Sequence, residues 1–410
     1  MTTTSTVPPA RVDEPDRPDD ARPGLSGLTL DEVEAWLAAT GEARYRARQI
    51  GDAVWRTRVA TAVAAPALPV RLREAIDRAF RWDTIATTDL TSADGRRTQK
   101  ALHRLGDGAT VESVLMRYPA GPGRRERNTL CISSQAGCAV GCPFCATGEL
   151  GFTRDLEVAE ILDQVRHAAR RLDTDGGRLT NVVFMGMGEP LLNLDRVLAA
   201  VEALNDPRRF GLGARHITVS TSGVVPGIRR LTALGSQFTL AISLHAARDP
   251  LRDVLVPLNR RWPVAEVVAA ARDHAAATGR RISYEYTMIA GINDTEADAD
   301  ALAELIRGDH AHVNLIPMNP VAHTPWQASS GATLSRFAGR LRADGIATTV
   351  RRNRGVEVGA ACGQLAALQA GEPPPPVVAR RRARLVLESA QALRGQRRAG
   401  QVAPVGADGR

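Results

Sequence analysis

Aromatic residues are scarce in this chain, at 4% of 410 residues. That excludes a broad base-stacking platform of the RNA-recognition-motif kind. Cysteines number only five. So small and odd a count excludes a disulfide-rich secreted module. No uncharged apolar run reaches the roughly 18 residues that a membrane-spanning helix requires. The opening stretch, MTTTSTVPPARVDEPDRPDD, has neither a basic start nor an apolar segment. It is not expected to act as a secretory leader, and the expected location is the cytoplasm, where thiols stay reduced. Lysine is all but missing. Lys100 is the only one, so 53 − 1 = 52 of the basic residues are arginine. The resulting +8 net charge fits a G+C-rich coding bias and equally a nucleic-acid partner, since charge reports association and not fold.

What is present suffices for a large core, with 44% of residues hydrophobic. Residues 1–24, rich in proline, threonine and acids, are expected to be disordered. Residues 25–99 read as a helical accessory unit. Thr29 and Glu32 form a capping-box-like start, followed by Leu30, Val33 and Leu37 at helical spacing. Ile50, Val54 and Trp55 mark a second helix; Leu72, Ile76 and Phe80 mark a third. Residues 100–127 read as a β-hairpin and linker, with Gly-Asp-Gly as the turn. From 128 to 366, seven strand-like runs alternate with helical stretches: TLCIS, NVVFM, HITVS, FTLAIS, ISYEYTMI, VNLIPM and ATTVR. This pattern predicts parallel strands joined by crossovers, in a full or partial βα barrel or a doubly wound sheet. Functional residues are then expected just beyond the strands. Residues 367–410 form a proline-containing linker and an arginine-rich tail.

Cys138, Cys142 and Cys145 stand as C-x3-C-x2-C in GCAVGCPFCATG. Thiolates this close are soft ligands for iron or zinc. Zinc usually takes four closed ligands, commonly as two separated pairs. Three cysteines on a 4Fe–4S cube instead leave one iron open. In this motif, with Phe144 before the last cysteine, the chain resembles the radical S-adenosylmethionine (SAM) enzymes. More narrowly it resembles the adenine-C2 RNA methyltransferases of the RlmN family. The matching words are TLCISSQAGCAVGCPFCATG, MGMGEPLLN, TVSTSGVVPGI, AISLHA, VNLIPMNP and RGVEVGAACGQL, in the family's order across residues 100–366.

The resemblance implies a partial radical-SAM barrel with Cys138, Cys142 and Cys145 on a 4Fe–4S cluster. It implies SAM contacts from Gly188, Glu189, Ser220, Ser243, Leu244, His245 and Asn319. Read alone, these are loop polar groups and turn glycines. It also implies that Cys362 is the methyl carrier and Cys131 its resolving thiol. By themselves both would be buried small hydrophobes. Glu112, by itself a solvated strand carboxylate, becomes the proton acceptor.

The chemistry shows why two thiols are useful. C2 of adenine lies between two ring nitrogens and is a poor nucleophile. By resemblance, Cys362 takes a methyl from one SAM, and a second SAM supplies a radical that activates it toward C2. Cys131 then releases the product as a Cys131–Cys362 disulfide, which an external reductant such as a flavodoxin or ferredoxin system resets. The implied substrates are 23S ribosomal RNA and transfer RNA, acted on by a monomer. The related adenine-C8 methyltransferases, or a zinc-containing RNA-binding protein, are the alternatives. Arg351, Arg352 and Arg354 are candidate phosphate contacts. The charge itself is uneven. Residues 371–410 carry eight arginines against three acids, and residues 1–24 three against five. The basic excess therefore points chiefly at the tail.

Overall fold

The apolar runs become strands because each is short, rich in β-branched residues and bounded by turn formers. A computed structural model describes residues 20–322 and 324–365. The strands are β1 (Ile85–Ala93), β2 (Thr98–Leu105), β3 (Thr110–Tyr118), β4 (Arg127–Cys131), β5 (Gln135–Gly137), β6 (Phe152–Asp155), β7 (Asn181–Phe184), β8 (Ile217–Thr221), β9 (Thr239–Ser243), β10 (Ile282–Met288), β11 (Ala311–Pro317) and β12 (Ala347–Val350). Ten form one sheet, ordered β1-β2-β3-β4-β7-β8-β9-β10-β11-β12. From β4 to β12 every pairing is parallel.

This order decides between the two architectures left open by the sequence. A doubly wound sheet reverses its order at a switch point. Here the order never reverses, so crossovers of one hand place their helices on one face. The sheet is an open, partial βα barrel. Between the strands run helices over Val158–Thr174, Leu194–Asn205, Val225–Ala233, Val264–Thr278, Glu296–Leu305 and Gly331–Ala343. Their apolar positions, such as Ile161, Leu162, Val165, Val267 and Leu302, are fully buried.

The expected hairpin is present as β2 and β3, with Leu102 opposite Glu112. It gains a third antiparallel strand, β1, inside the stretch assigned to the helical accessory unit. Its run IATTDLTSA is mostly exposed, so no apolar alternation announces it; pairing with β2 creates it. This three-stranded meander joins the barrel through β3 and β4.

Helices over Leu30–Ala39, Arg46–Gly51 and Val70–Ala79 build the accessory unit. The capping box forms, with Glu32 N–H on Thr29 Oγ1 and Thr29 N–H on Glu32 Oε2. Fully buried Arg166 docks this unit on the barrel by donating to the carbonyls of Val54, Val59 and Trp82 at 2.6–3.1 Å. Residues 20–24, within the segment expected to be disordered, are tied down instead. Arg81 N–H donates to Pro23 O, and Leu25 N–H to Arg81 O, both at 2.9 Å. The rest of that segment and residues 367–410 lie outside the described residues. No helix among the described residues is long and apolar enough to cross a membrane.

Candidate active site

The loops that follow β4, β7, β8, β9 and β11 meet at one rim of the barrel. Glycine makes the closest approach possible. A Cβ on Gly186 would stand 2.6 Å from Ile132 O, so the loop after β7 can press on the loop after β4 only without a side chain. Ser133 locks three strands together there. Its hydroxyl donates to Glu112 O at 2.6 Å and accepts from Met187 N–H at 2.9 Å.

The cysteine loop hangs from a small ladder that the sequence does not announce. β5 and β6 pair antiparallel on either side of it. Gly137 has φ +76°, and a Cβ there would stand 1.9 Å from Gly151 O. Cys138 N–H donates to that carbonyl at 2.8 Å. Cys138, Cys142 and Phe144 pack on an apolar group that includes Val140, Leu251, Ile289 and Trp326. Burial is the main reason all three thiols hold their protons more tightly than usual; Cys138 is pushed up to about 12. Cys142 also feels the charges of Cys145 and Cys138, so the three sulfurs are neighbours.

Among the described residues, no three His, Cys, Asp or Glu side chains are placed to hold one metal ion. A multinuclear cluster spreads its thiolates over several irons. Three soft thiolates in an apolar shell suit such a cluster, whereas a structural zinc site closes with four ligands.

Around this loop stand the other polar groups. Glu189 is buried, which raises its pKa, and Ser222 and Leu191 oppose the rise. Its carboxylate accepts from Ser222 N–H and Oγ, both at 2.7 Å, and from Leu191 N–H at 3.0 Å. The Thr221 hydroxyl adds a further hydrogen bond that favours the charged form. Gly188 has φ +99° and lies against Gln135, whose side-chain oxygen accepts from Glu189 N–H at 2.8 Å. Ser220 and Ser243 end neighbouring strands with their hydroxyls 3.3 Å apart.

Leu244 is fully buried; its N–H is bonded to Glu285 O and its carbonyl to Arg252. His245 has φ +60° and its ring meets Phe144 edge-on at 4.8 Å. Its Nδ1 accepts from Thr287 N–H, so the proton sits on Nε2. Burial, then the Arg252 charge, pushes its pKa down to about 3. Asn319 donates to Cys362 O at 2.9 Å, while its own Oδ1 is buried with no partner among the described residues. A buried acceptor with no donor fits a site that a ligand completes.

Cys362 lies on the segment after β12, and this segment closes over the cysteine loop. Ala146 N–H donates to Gly363 O at 2.7 Å, and Thr147 Oγ1 to Leu365 O at 2.6 Å. Cys131 is buried at the end of β4, opposite Val114 of β3. Burial first, then the charge of Cys362, pushes it up to about 12, and Arg351 opposes this. Cys131 and Cys362 are both free thiols.

Arg351 feels Cys362 more than any other group. It is thus a neighbour of the two thiols rather than an outward phosphate contact. Arg354 also turns inward, stacking on Tyr118 at 4.5 Å. Arg352 alone of the three is exposed. Glu112 departs from the solvated carboxylate that its strand position suggests. Its side chain is fully buried and pairs with Lys100 Nζ at 2.8 Å.

Arg252 escaped the sequence reading. Fully buried, it donates to the carbonyls of Ser222, Leu244 and Ser243 and to Asn259 Oδ1, at 2.7–3.2 Å. It pins the loops after β8 and β9 to each other. Nothing in LRDVL separates it from an ordinary helical surface arginine.

Residues 132–306 match the model of the Radical SAM superfamily. A probable dual-specificity RNA methyltransferase RlmN from Parafrankia sp. (strain EAN1pec) is 50% identical over 364 residues, 85% of this chain and 92% of the relative. One from Thermobifida fusca is 48% identical over 350 residues, covering 84% and 94%. The crystal structure of a radical SAM methyltransferase from Sphaerobacter thermophilus superposes with a TM-score of 0.82 at 46% identity, covering 84% of this chain and all of that one. At this identity and coverage, with the cysteine loop and strand-end residues in one site, the chain belongs to the RlmN family of radical SAM RNA methyltransferases.

Proposed function

We propose that the chain methylates C2 of adenine in RNA, at adenine-2503 of 23S ribosomal RNA and adenine-37 of transfer RNA, through a methyl group carried on Cys362. The observation that supports this best is the pair of thiols outside the cysteine loop. Cys131 and Cys362 interact electrostatically beside a loop with three further cysteines. Two extra thiols there serve a reaction in which one carries carbon and the other releases it.

Cys138, Cys142 and Cys145 would hold a 4Fe–4S cluster, with Glu189, Gly188, Ser220, Ser243, Leu244, His245 and Asn319 around SAM. Together these cofactors supply the methyl group and, by one-electron chemistry, the means of activating it. The chain's own residues do the rest. Arg351 stands beside Cys362, a fixed cation next to the sulfur that accepts the methyl. Once the carbon bridges Cys362 and adenine and the adduct has given back one electron through the same one-electron chemistry, Glu112 takes the C2 proton. Cys131 thiolate then attacks Cys362 sulfur. An S–S bond forms, the S–CH2 bond breaks, and its electron pair with one proton completes the methyl group on the base. A reductant of the flavodoxin or ferredoxin class returns the pair to thiols. The accessory unit, residues 25–99, and the tail, residues 367–410, would contact RNA. The enzyme would act as a cytoplasmic monomer.

Nucleoside mass spectrometry after reaction of the reconstituted enzyme with both RNAs tests this. The product expected is 2-methyladenine; 8-methyladenine would overturn the reading. Cys362→Ala is expected to abolish methyl transfer, and Cys131→Ala to leave protein crosslinked to RNA. Full turnover by either variant refutes the two-thiol route.

A further inference from the structure

The chain's single lysine stands beside the proposed base. Lys100 Nζ lies 2.8 Å from Glu112 Oε1; the lysine side chain is 15% exposed and the glutamate side chain not at all. Leu102 is opposite Glu112 and Lys100 opposite Val114, so the pair is diagonal on one face of the β2–β3 ladder. On its other side Lys100 meets the segment that carries Cys362. A Cβ on Gly359 would stand 3.5 Å from Lys100 Nζ, and Gly359 precedes Cys362 by three residues. Behind Glu112, its carbonyl is fixed by Ser133, and Val114 of the same strand pairs with Cys131. The ammonium therefore sits where the carboxylate strand, the resolving thiol's strand and the methyl carrier's loop meet.

We propose that Lys100 is a positioning residue for proton removal, holding the Glu112 carboxylate in place and aimed at the adduct on Cys362. This rests on the reading of Glu112 as the proton acceptor. In the step itself, the C2–H bond breaks and an O–H bond forms on Glu112. The C–H electron pair stays with the adduct, and no electron enters or leaves. The ion pair fixes the direction of the carboxylate, and proton transfer depends on that alignment. A compact ammonium suits the place. Its three donors rotate freely to meet the carboxylate. The bare Gly359 leaves room for it.

The test uses reconstituted holoenzyme in single turnovers, with RNA bearing protium or deuterium at adenine C2, from acid to mildly alkaline pH. Lys100→Met and Glu112→Gln are both expected to accumulate protein–RNA adduct and to enlarge the C2-deuterium isotope effect. The acid limb of Lys100→Met should move up by about one pH unit or more, the usual effect of losing an adjacent opposite charge. Lys100→Arg, which keeps the charge, should restore the limb. If Lys100→Met does not fold, Lys100→Gln offers hydrogen bonds without charge and should show the same limb and isotope effect. A wild-type limb and isotope effect in the uncharged variants, while Glu112→Gln is slow, overturns the role of Lys100 alone. A Glu112→Gln variant with full turnover instead removes Glu112 from the reaction, and this proposal falls with it.

Discussion

Replacing Arg252 with methionine should loosen the rim from beneath, without touching any reacting atom. The guanidinium is fully buried and serves four acceptors, three of them carbonyls of the loops after β8 and β9. Methionine fills similar volume but leaves Ser222 O, Ser243 O and Leu244 O without that donor. Each buried acceptor so stranded costs about 1–3 kcal/mol. Removing a buried charge returns part of this, because burial disfavours it; the Arg252 pKa is pushed down to about 10 by desolvation, against the charges of Cys142, Asp249 and Asp253. A net loss of about 3–5 kcal/mol follows. A fold of this length has an unfolding entropy on the order of 0.7 kcal/mol/K, so Tm should fall by roughly 4–7 °C. Differential scanning calorimetry on the iron-reconstituted protein reads this directly. Equilibrium dialysis should show weaker SAM binding, since Ser243 and His245 stand on the loosened loop. A variant with wild-type Tm and wild-type SAM affinity would show that the carbonyls find other donors, and the argument would fail.

Cys131, pushed up to about 12 by burial and by the charge of Cys362, should make product release rise about tenfold per pH unit between neutrality and pH 9. Rapid-quench decay of the protein–RNA adduct checks this, and a plateau near pH 8 contradicts it. His103 and His245 are each pushed down to about 3, in both cases chiefly by burial. The unfolded chain, whose histidines titrate near 6.5, therefore binds more protons as pH falls. Stability is complete above that value and declines below it toward pH 3, by up to about 2.7 kcal/mol per unit for the two groups. Denaturant titrations that give equal stability at pH 7 and pH 5 would refute it. Gly188→Ala must place a Cβ 2.6 Å from that of Gln135 at φ +99°. It should displace Glu189 and weaken SAM binding; calorimetric titration showing unchanged affinity would refute that.

The sequence alone settled what is local. Cys138, Cys142 and Cys145 lie within eight residues, so chain connectivity brings their sulfurs together in any fold. Seven apolar runs of strand length, separated by helices, admit only parallel strands with crossovers. The match of words around them carried the family, because each motif is a short loop whose role depends on its own residues. The capping box at Thr29 was equally legible, since both partners sit within one turn.

The tertiary structure decided whatever depends on distant partners. Monotonic strand order, which no single run encodes, made the sheet a partial barrel. β1 exists because β2 offers it an edge, not because its exposed residues alternate. Cys131, Glu112 and Cys362 are ordinary residues in sequence; only the pairing of β3 with β4, and the return of the last segment over the cysteine loop, makes them neighbours. Arg252 and Lys100 show the reason most clearly. The surface arginine and the buried one are the same letter, and a charge acquires its meaning from the groups that share its burial.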